Sequence, residues 1–180
     1  ARRIEAKMVQ PDEDNMLAVC TYMTKVALDA RIIDPEAEEY DGGKVALCAE
    51  KIIEINKSNP GTAQAVFCDT NTPKKDAFSV YQALRDRLVR SGEFTENEIA
   101  FVHDAANDKQ RLAMFEKVNN AEIKIIIGST GKLGTGVNIQ RKLSALHHLD
   151  APYRPSDIEQ RNGRGIRQGN ENSEVYIGYY

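Results

Sequence analysis

The chain of 180 residues has no apolar run long enough to cross a bilayer, which excludes a membrane-spanning helix. Its opening residues, Ala1-Arg2-Arg3-Ile4-Glu5-Ala6, lack the apolar stretch of a secretory signal, so a cytoplasmic location is expected. Cysteine is scarce: Cys20, Cys48 and Cys68 are odd in number, widely spaced and set among apolar neighbours. That pattern argues against a disulfide framework or zinc knuckle and for reduced core thiols, with no metal site expected. Internal repeats and low-complexity stretches are missing too. The sequence has no initiator methionine and stops within a stretch that reads as a strand, so a piece of a longer polypeptide is expected.

What is present suits one globular domain, since 180 residues with 41% hydrophobic content are ample for a single core. The acidic start Pro11-Asp12-Glu13-Asp14 favours a helix running to about Arg31, with Met16, Val19, Cys20, Met23 and Ala27 as a core-facing stripe. Residues 1–43 therefore read as an N-terminal helix and connector, and residues 44–180 as the main lobe. A second helix spans Lys44 to Lys57 and is ended by Asn59-Pro60-Gly61. The run Ala63 to Cys68 is apolar without alternation, as a strand buried on both faces requires.

The rhythm then repeats: a helix Asp76 to Arg90, a strand Ile99 to Val102, a helix Asp108 to Val118 and a strand Ile123 to Ile127. A glycine-rich loop, Gly128 to Gly136, separates this from the strands Ala145 to Leu149 and Val175 to Tyr180. Ser156 and Glu159 have the spacing of a capping box that would start a short helix. Alternating strands and helices predict an α/β fold, a three-layer sandwich whose mainly parallel sheet has helices on both faces. Ligands bind such sheets at the carboxyl ends of the strands. Those ends hold Cys68-Asp69-Thr70, His103-Asp104, the glycine loop, and Asp150 to Arg154.

Charge is unevenly placed. Between Lys124 and Gln168 stand eight basic residues, Lys124, Lys132, Arg141, Lys142, Arg154, Arg161, Arg164 and Arg167, against only Asp150, Asp157 and Glu159, in a chain of net charge −3. Such a segment is a candidate phosphate-facing surface, although most charge clusters are simply solvated faces.

The most informative string is Gln160-Arg161-Asn162-Gly163-Arg164-Gly165-Ile166-Arg167, which fits Q-x-x-G-R-x-x-R. It resembles the sixth motif of superfamily-two helicases, which lies on their second RecA-like lobe, and the following Gln168-Gly169 is similar to Swi/Snf-type translocases. The resemblance implies that Arg164 and Arg167 are arginine fingers reaching the γ-phosphate of an ATP held by the first lobe, with Gln160 beside the nucleotide. A planar, always charged fork suits a transition state rich in negative charge, and residues three apart share one helical face. The plainer reading is a surface helix carrying arginines.

Gly128 to Asn138 resembles the fifth motif of the same family. By that likeness Ser129, Thr130 and Lys132 would contact the DNA backbone, Gly134 and Gly136 would let main chain approach the nucleotide, and Asn138 would sit near the ribose, where many helicases have Asp. The plainer reading is a tight turn. Val66 to Asp69 with Pro73 is similar to the fourth motif, in which Asp69 would face nucleic acid; Asp69 could equally cap the turn. Leu149 to Pro155 resembles the stretch linking the fifth and sixth motifs. The likeness covers about residues 44–180 and its motifs fall in the family's order.

No G-x-x-x-x-G-K-[ST] loop exists, because Leu133 stands where Ser or Thr must follow Lys132, and no apolar strand precedes Asp12-Glu13-Asp14. The resemblance therefore implies that ATP and Mg²⁺ are held mainly by an absent N-terminal RecA-like lobe and that the fragment alone is inactive. The implied partners are DNA, that lobe and a methyltransferase domain in the parent chain, as in large mobile-element proteins with similar helicase modules. Two other readings stay open. Asp150-Ala151-Pro152-Tyr153 differs by one residue from the D-P-P-Y signature of DNA adenine methyltransferases, and a degenerate lobe could bind nucleic acid without supporting hydrolysis. His147 and His148 point to opposite faces of a strand, so packed or surface roles are expected rather than joint chelation.

Overall fold

The computed structural model describes residues 15–74, 77–133 and 138–180. Five strands form one parallel sheet: β1 (Ala63–Phe67), β2 (Ile99–Phe101), β3 (Ile125–Gly128), β4 (Leu143–His148) and β5 (Tyr176–Tyr179), in the order β2-β3-β1-β4-β5. The α-helices are α1 (Met16–Leu28), α2 (Lys44–Ser58), α3 (Val80–Arg90), α4 (Asp108–Asn119), the single turn α5 (Thr130–Leu133) and α6 (Pro155–Asn162).

The sheet is covered on both sides, which explains its uninterrupted apolar strands. Val66, Cys68, Ile125 and Ile127 pack on one face against Cys48 and Ile52 of α2 and Tyr81, Leu84 and Leu88 of α3. Ala65, Phe67, Ile126 and Leu146 pack on the other against Phe115 and Val118 of α4, with Leu133 and Ile139. Each layer takes alternate residues of the same strands, so both side-chain sets of β1 and β3 are removed from water. This is the three-layer α/β arrangement that the alternation of strands and helices predicts.

Three local expectations are corrected. The stripe on α1 is not core: Met16 and Met23 are 46% and 63% exposed, Cys20 is exposed, and Leu28 is the helix's buried residue. The helix ends at Leu28 rather than Arg31, because Asp29 is extended and its carboxylate accepts the Arg31 N–H to start a 3₁₀ turn, Ala30–Ile32. Ser156 forms no capping box, since α6 begins one residue earlier with Pro155 in its first turn and Arg154 as a cap without a side-chain bond. A capping box does occur at Thr95 and Glu98. Helix α3 starts at Val80, with Ser79 as its cap; the expected start at Asp76 lies outside the described residues.

Candidate functional site

Because β1, β3 and β4 are parallel, their carboxyl ends meet at one edge, and Arg161 enters that edge from α6. Its side chain is completely buried. Nε donates to Thr130 Oγ1 at 2.8 Å. Nη1 donates to the Asp150 carbonyl at 2.9 Å and faces His148 Nδ1 at 3.3 Å. Nη2 donates to Asp69 Oδ2 at 2.7 Å and Asp150 Oδ1 at 3.2 Å. All five N–H groups of the fork are thus matched, the condition under which a buried guanidinium is tolerable. Its flat face lies 5.3 Å from the centre of the Phe67 ring.

The carboxylates are equally committed. Asp150 Oδ2 accepts the backbone N–H groups of Asp69 and Thr70 at 2.7 and 2.6 Å. Asp69 Oδ1 accepts the Thr130 N–H at 2.7 Å, and its Oδ2 accepts the Thr130 hydroxyl. The ends of β1, β3 and β4 and the helix α6 are therefore joined through one side chain.

The second histidine of β4 extends the network. Arg161 gives His148 Nδ1 a donor, which leaves Nε2 to donate to Asn162 Oδ1 at 2.8 Å and fixes a neutral tautomer. Burial, foremost, lowers the His148 pKa, and its ring stacks between Phe67 and Tyr179. His147 points to the other face, between Gln64 Oε1 at 2.9 Å and the Tyr180 hydroxyl at 2.7 Å, and its burial brings its pKa down to about 3. His103 lies in a 3₁₀ turn, Val102–Asp104, that directly follows β2 at its carboxyl end, and its ring meets Tyr81 edge-on.

Arg164 and Arg167 do not share a helical face. Helix α6 stops at Asn162, and a series of turns follows in which Arg164 N–H donates to the Arg161 carbonyl at 3.1 Å and Ile166 N–H to the Asn162 carbonyl at 3.0 Å. Gly165 explains the departure: a Cβ there would lie 3.0 Å from both Leu146 Cδ1 and Val175 Cγ1, so the chain is drawn onto the sheet where no side chain fits comfortably. Arg167 is exposed and Arg164 half-buried; burial and the neighbouring Arg167 charge both lower the Arg164 pKa. Gln160 is half-buried. Arg164 and Arg167 thus stand three residues apart in the turns that follow α6.

Among the residues expected to meet ligands, Asp69 and Thr130 are brought into direct contact, Ser129 is half-buried with its carbonyl accepting the Lys132 and Leu133 N–H groups, and Lys132 is exposed. Asn138 has an exposed side chain and a carbonyl that accepts Asn119 Nδ2 at 2.8 Å. Gly134 and Gly136 lie outside the described residues. The cationic segment is not one surface: Arg161 is internal, Lys124 pairs with Glu98 at 2.6 Å and Arg141 with Glu171 at 3.2 Å. The hub formed by Arg161 and Asp150 was not foreseen. The available signal is Asp150 itself, a carboxylate placed directly after a strand and Leu149 that are apolar enough to be fully buried, where a charge needs a cationic partner. Among the described residues no group of His, Cys, Asp and Glu is placed to hold a metal ion.

Residues 44–169 match the helicase conserved C-terminal domain, and the chain belongs to that family. It is 29% identical over 157 residues to the Defense against restriction protein B of Escherichia phage P1, a match that covers 83% of this chain and spans 7% of that relative's length. The fold is shared with a DUF1998 helicase MrfA bound to DNA, at TM-score 0.57 and 17% identity over 76% of this chain and 18% of that one. It is also shared with the C-terminal part of the Fun30 ATPase domain, at TM-score 0.56 and 16% identity over 80% of this chain and 43% of the other. The ADP-bound RNA helicase Prp28 of Chaetomium thermophilum superposes with TM-score 0.55 and 19% identity over 76% and 30% of the two chains.

Proposed function

We propose that this chain is the second ATPase lobe of a DNA helicase or translocase, and that Arg164 and Arg167 act as arginine fingers on an ATP whose β- and γ-phosphates and Mg²⁺ are held by an N-terminal lobe of the same polypeptide. The observation that supports this best is the pair of cations on the turn that leaves α6, fastened at its root by the buried Arg161. Bound ATP supplies the phosphoryl group, and guanidinium forks in this place stabilise the charge that develops on it. Gln160, Gly134, Gly136 and Asn138 are proposed for the nucleotide side. Ser129, Thr130, Lys132 and Asp69 are proposed for the nucleic-acid side, with Lys132 supplying the exposed positive charge and Asp69 and Thr130 shaping the loop.

DNA as the track and closeness to Swi/Snf-type motors rest on the Gln160 to Gly169 string. The share of the phage relative that this chain spans leaves room for further domains, and a methyltransferase domain in the parent is part of the proposal. A methyltransferase site within this chain finds no support, because Asp150 is 4% exposed and its carboxylate is held by Arg161 and two backbone amides. The test is steady-state ATP hydrolysis by the purified 180-residue chain with and without DNA. No turnover is expected; DNA-stimulated turnover by the chain alone would overturn the reading of a half-motor.

A further inference from the structure

We infer that Arg161, with Asp69 and Thr130, is a positioning device that couples nucleic-acid engagement to the placement of the Arg164–Arg167 turn. The inference rests on the function proposed above. Four segments meet here, and Arg161 touches all of them: the end of β1 through Asp69, the end of β3 through Thr130, the end of β4 through Asp150, and its own helix, where its carbonyl accepts the Arg164 N–H.

The path is contiguous. Lys132 shares the turn α5 with Thr130, and Ser129 directly precedes it; the Thr130 hydroxyl both donates to Asp69 and accepts from Arg161 Nε. Any movement of that turn on a nucleic-acid backbone therefore shifts the partners of Arg161 Nε and Nη2 together. The guanidinium is fully buried and Asp150 fixes it from the opposite side through a carbonyl and a carboxylate oxygen, so it has no room to turn away independently. Its displacement is passed to the backbone three residues before Arg164. A packed, hydrogen-bonded network with few alternatives transmits such a shift better than mobile side chains do.

Asp69 is the accessible member, with its side chain 37% exposed, and offers a mild perturbation. Asp69→Asn keeps the acceptor for the Thr130 N–H but loses the charge facing Arg161; Arg161→Lys keeps the charge but loses the fork. The experiment uses the full-length polypeptide containing this lobe and measures ATP hydrolysis against the concentration of a mixed-sequence DNA oligonucleotide, with folding checked by circular dichroism. Both variants are expected to lower kcat at saturating DNA about tenfold, a common size for coupling between sites, with the DNA concentration for half-maximal stimulation changing less than about threefold. Unchanged kcat in the folded variants overturns the inference. So does a raised half-stimulation concentration with kcat retained, which would make Asp69 a direct nucleic-acid contact. Should Arg161→Lys fail to fold, Asp69→Asn decides alone. Arg164→Ala is the reference: if it too retains kcat, the finger assignment itself fails, whereas if it alone loses kcat, the positioning role falls and the finger assignment stands.

Discussion

Arg161 Nη2 lies 2.7 Å from Asp69 Oδ2, although 92 positions separate the two residues in the chain. The bond ties the end of β1 to the helix that precedes the Arg164–Arg167 turn, and the buried Asp150 shares the same nitrogen at 3.2 Å. A fully desolvated guanidinium matched by two carboxylates is demanding to build, and removing one partner leaves charge stranded in the interior.

Arg161→Met should therefore destabilise the chain by about 3–5 kcal/mol, because Asp150 stays buried without its cation. Urea denaturation followed by circular dichroism measures this. A loss under about 1 kcal/mol, the scale of an exposed ion pair, would show that the hub contributes little to the fold.

Arg164→Ala and Arg167→Ala, in the polypeptide that contains both lobes, should each lower kcat at least about a hundredfold with little change in ATP binding. Single-turnover hydrolysis and nucleotide titration separate the two effects, and a variant with unchanged kcat is no finger.

Acid should weaken the fold before the carboxylates titrate. His147 is held at a pKa of about 3 and His148 is also lowered, both chiefly by burial, while the unfolded chain takes up protons near the ordinary histidine value of about 6.5. Below that value the unfolded state binds protons that the folded state refuses, so stability falls with falling pH, by up to about 1.4 kcal/mol per unit for each histidine. Urea midpoints at pH 7 and pH 5 record the slope, and His147→Gln should flatten it. The same slope in that variant would assign the effect elsewhere.

Thiol chemistry should distinguish the three cysteines. Cys20 is exposed, whereas Cys48 and Cys68 are buried and their thiol pKa values are driven upward by desolvation. A thiol reagent at neutral pH should modify one residue quickly and the other two only on unfolding. Fast modification of two or three would contradict this packing.

Gly128→Ala should cost about 1–3 kcal/mol as an overpacking change. Its new methyl would lie 2.7 Å from Leu133 Cγ and 3.1 Å from Val102 Cγ2, both on buried side chains. A thermal melt unaltered by the substitution would mean that α5 gives way easily.

The layered parallel sheet was legible from residue pattern alone, because continuous apolar runs such as Ile125-Ile126-Ile127 suit only a strand covered on both faces, and Lys44 to Lys57 repeats its apolar residues at helical spacing. The family followed from strings that fall in the family's order. Other features depended on partners distant in the chain. Periodicity gave α1 one core-facing stripe, yet the helices that cover this face of the sheet are α2 and α3, so most of that stripe meets solvent. Spacing placed Arg164 and Arg167 on one helix, but the fit of Gly165 against Leu146 ends the helix first. Arg161 counted as one more surface cation until tertiary structure surrounded it with Asp69, Thr130 and Asp150. Apolar spacing reports what each segment must hide. Whether a charge is hidden is decided by which loops converge on it, and that is a property of the assembled sheet edge.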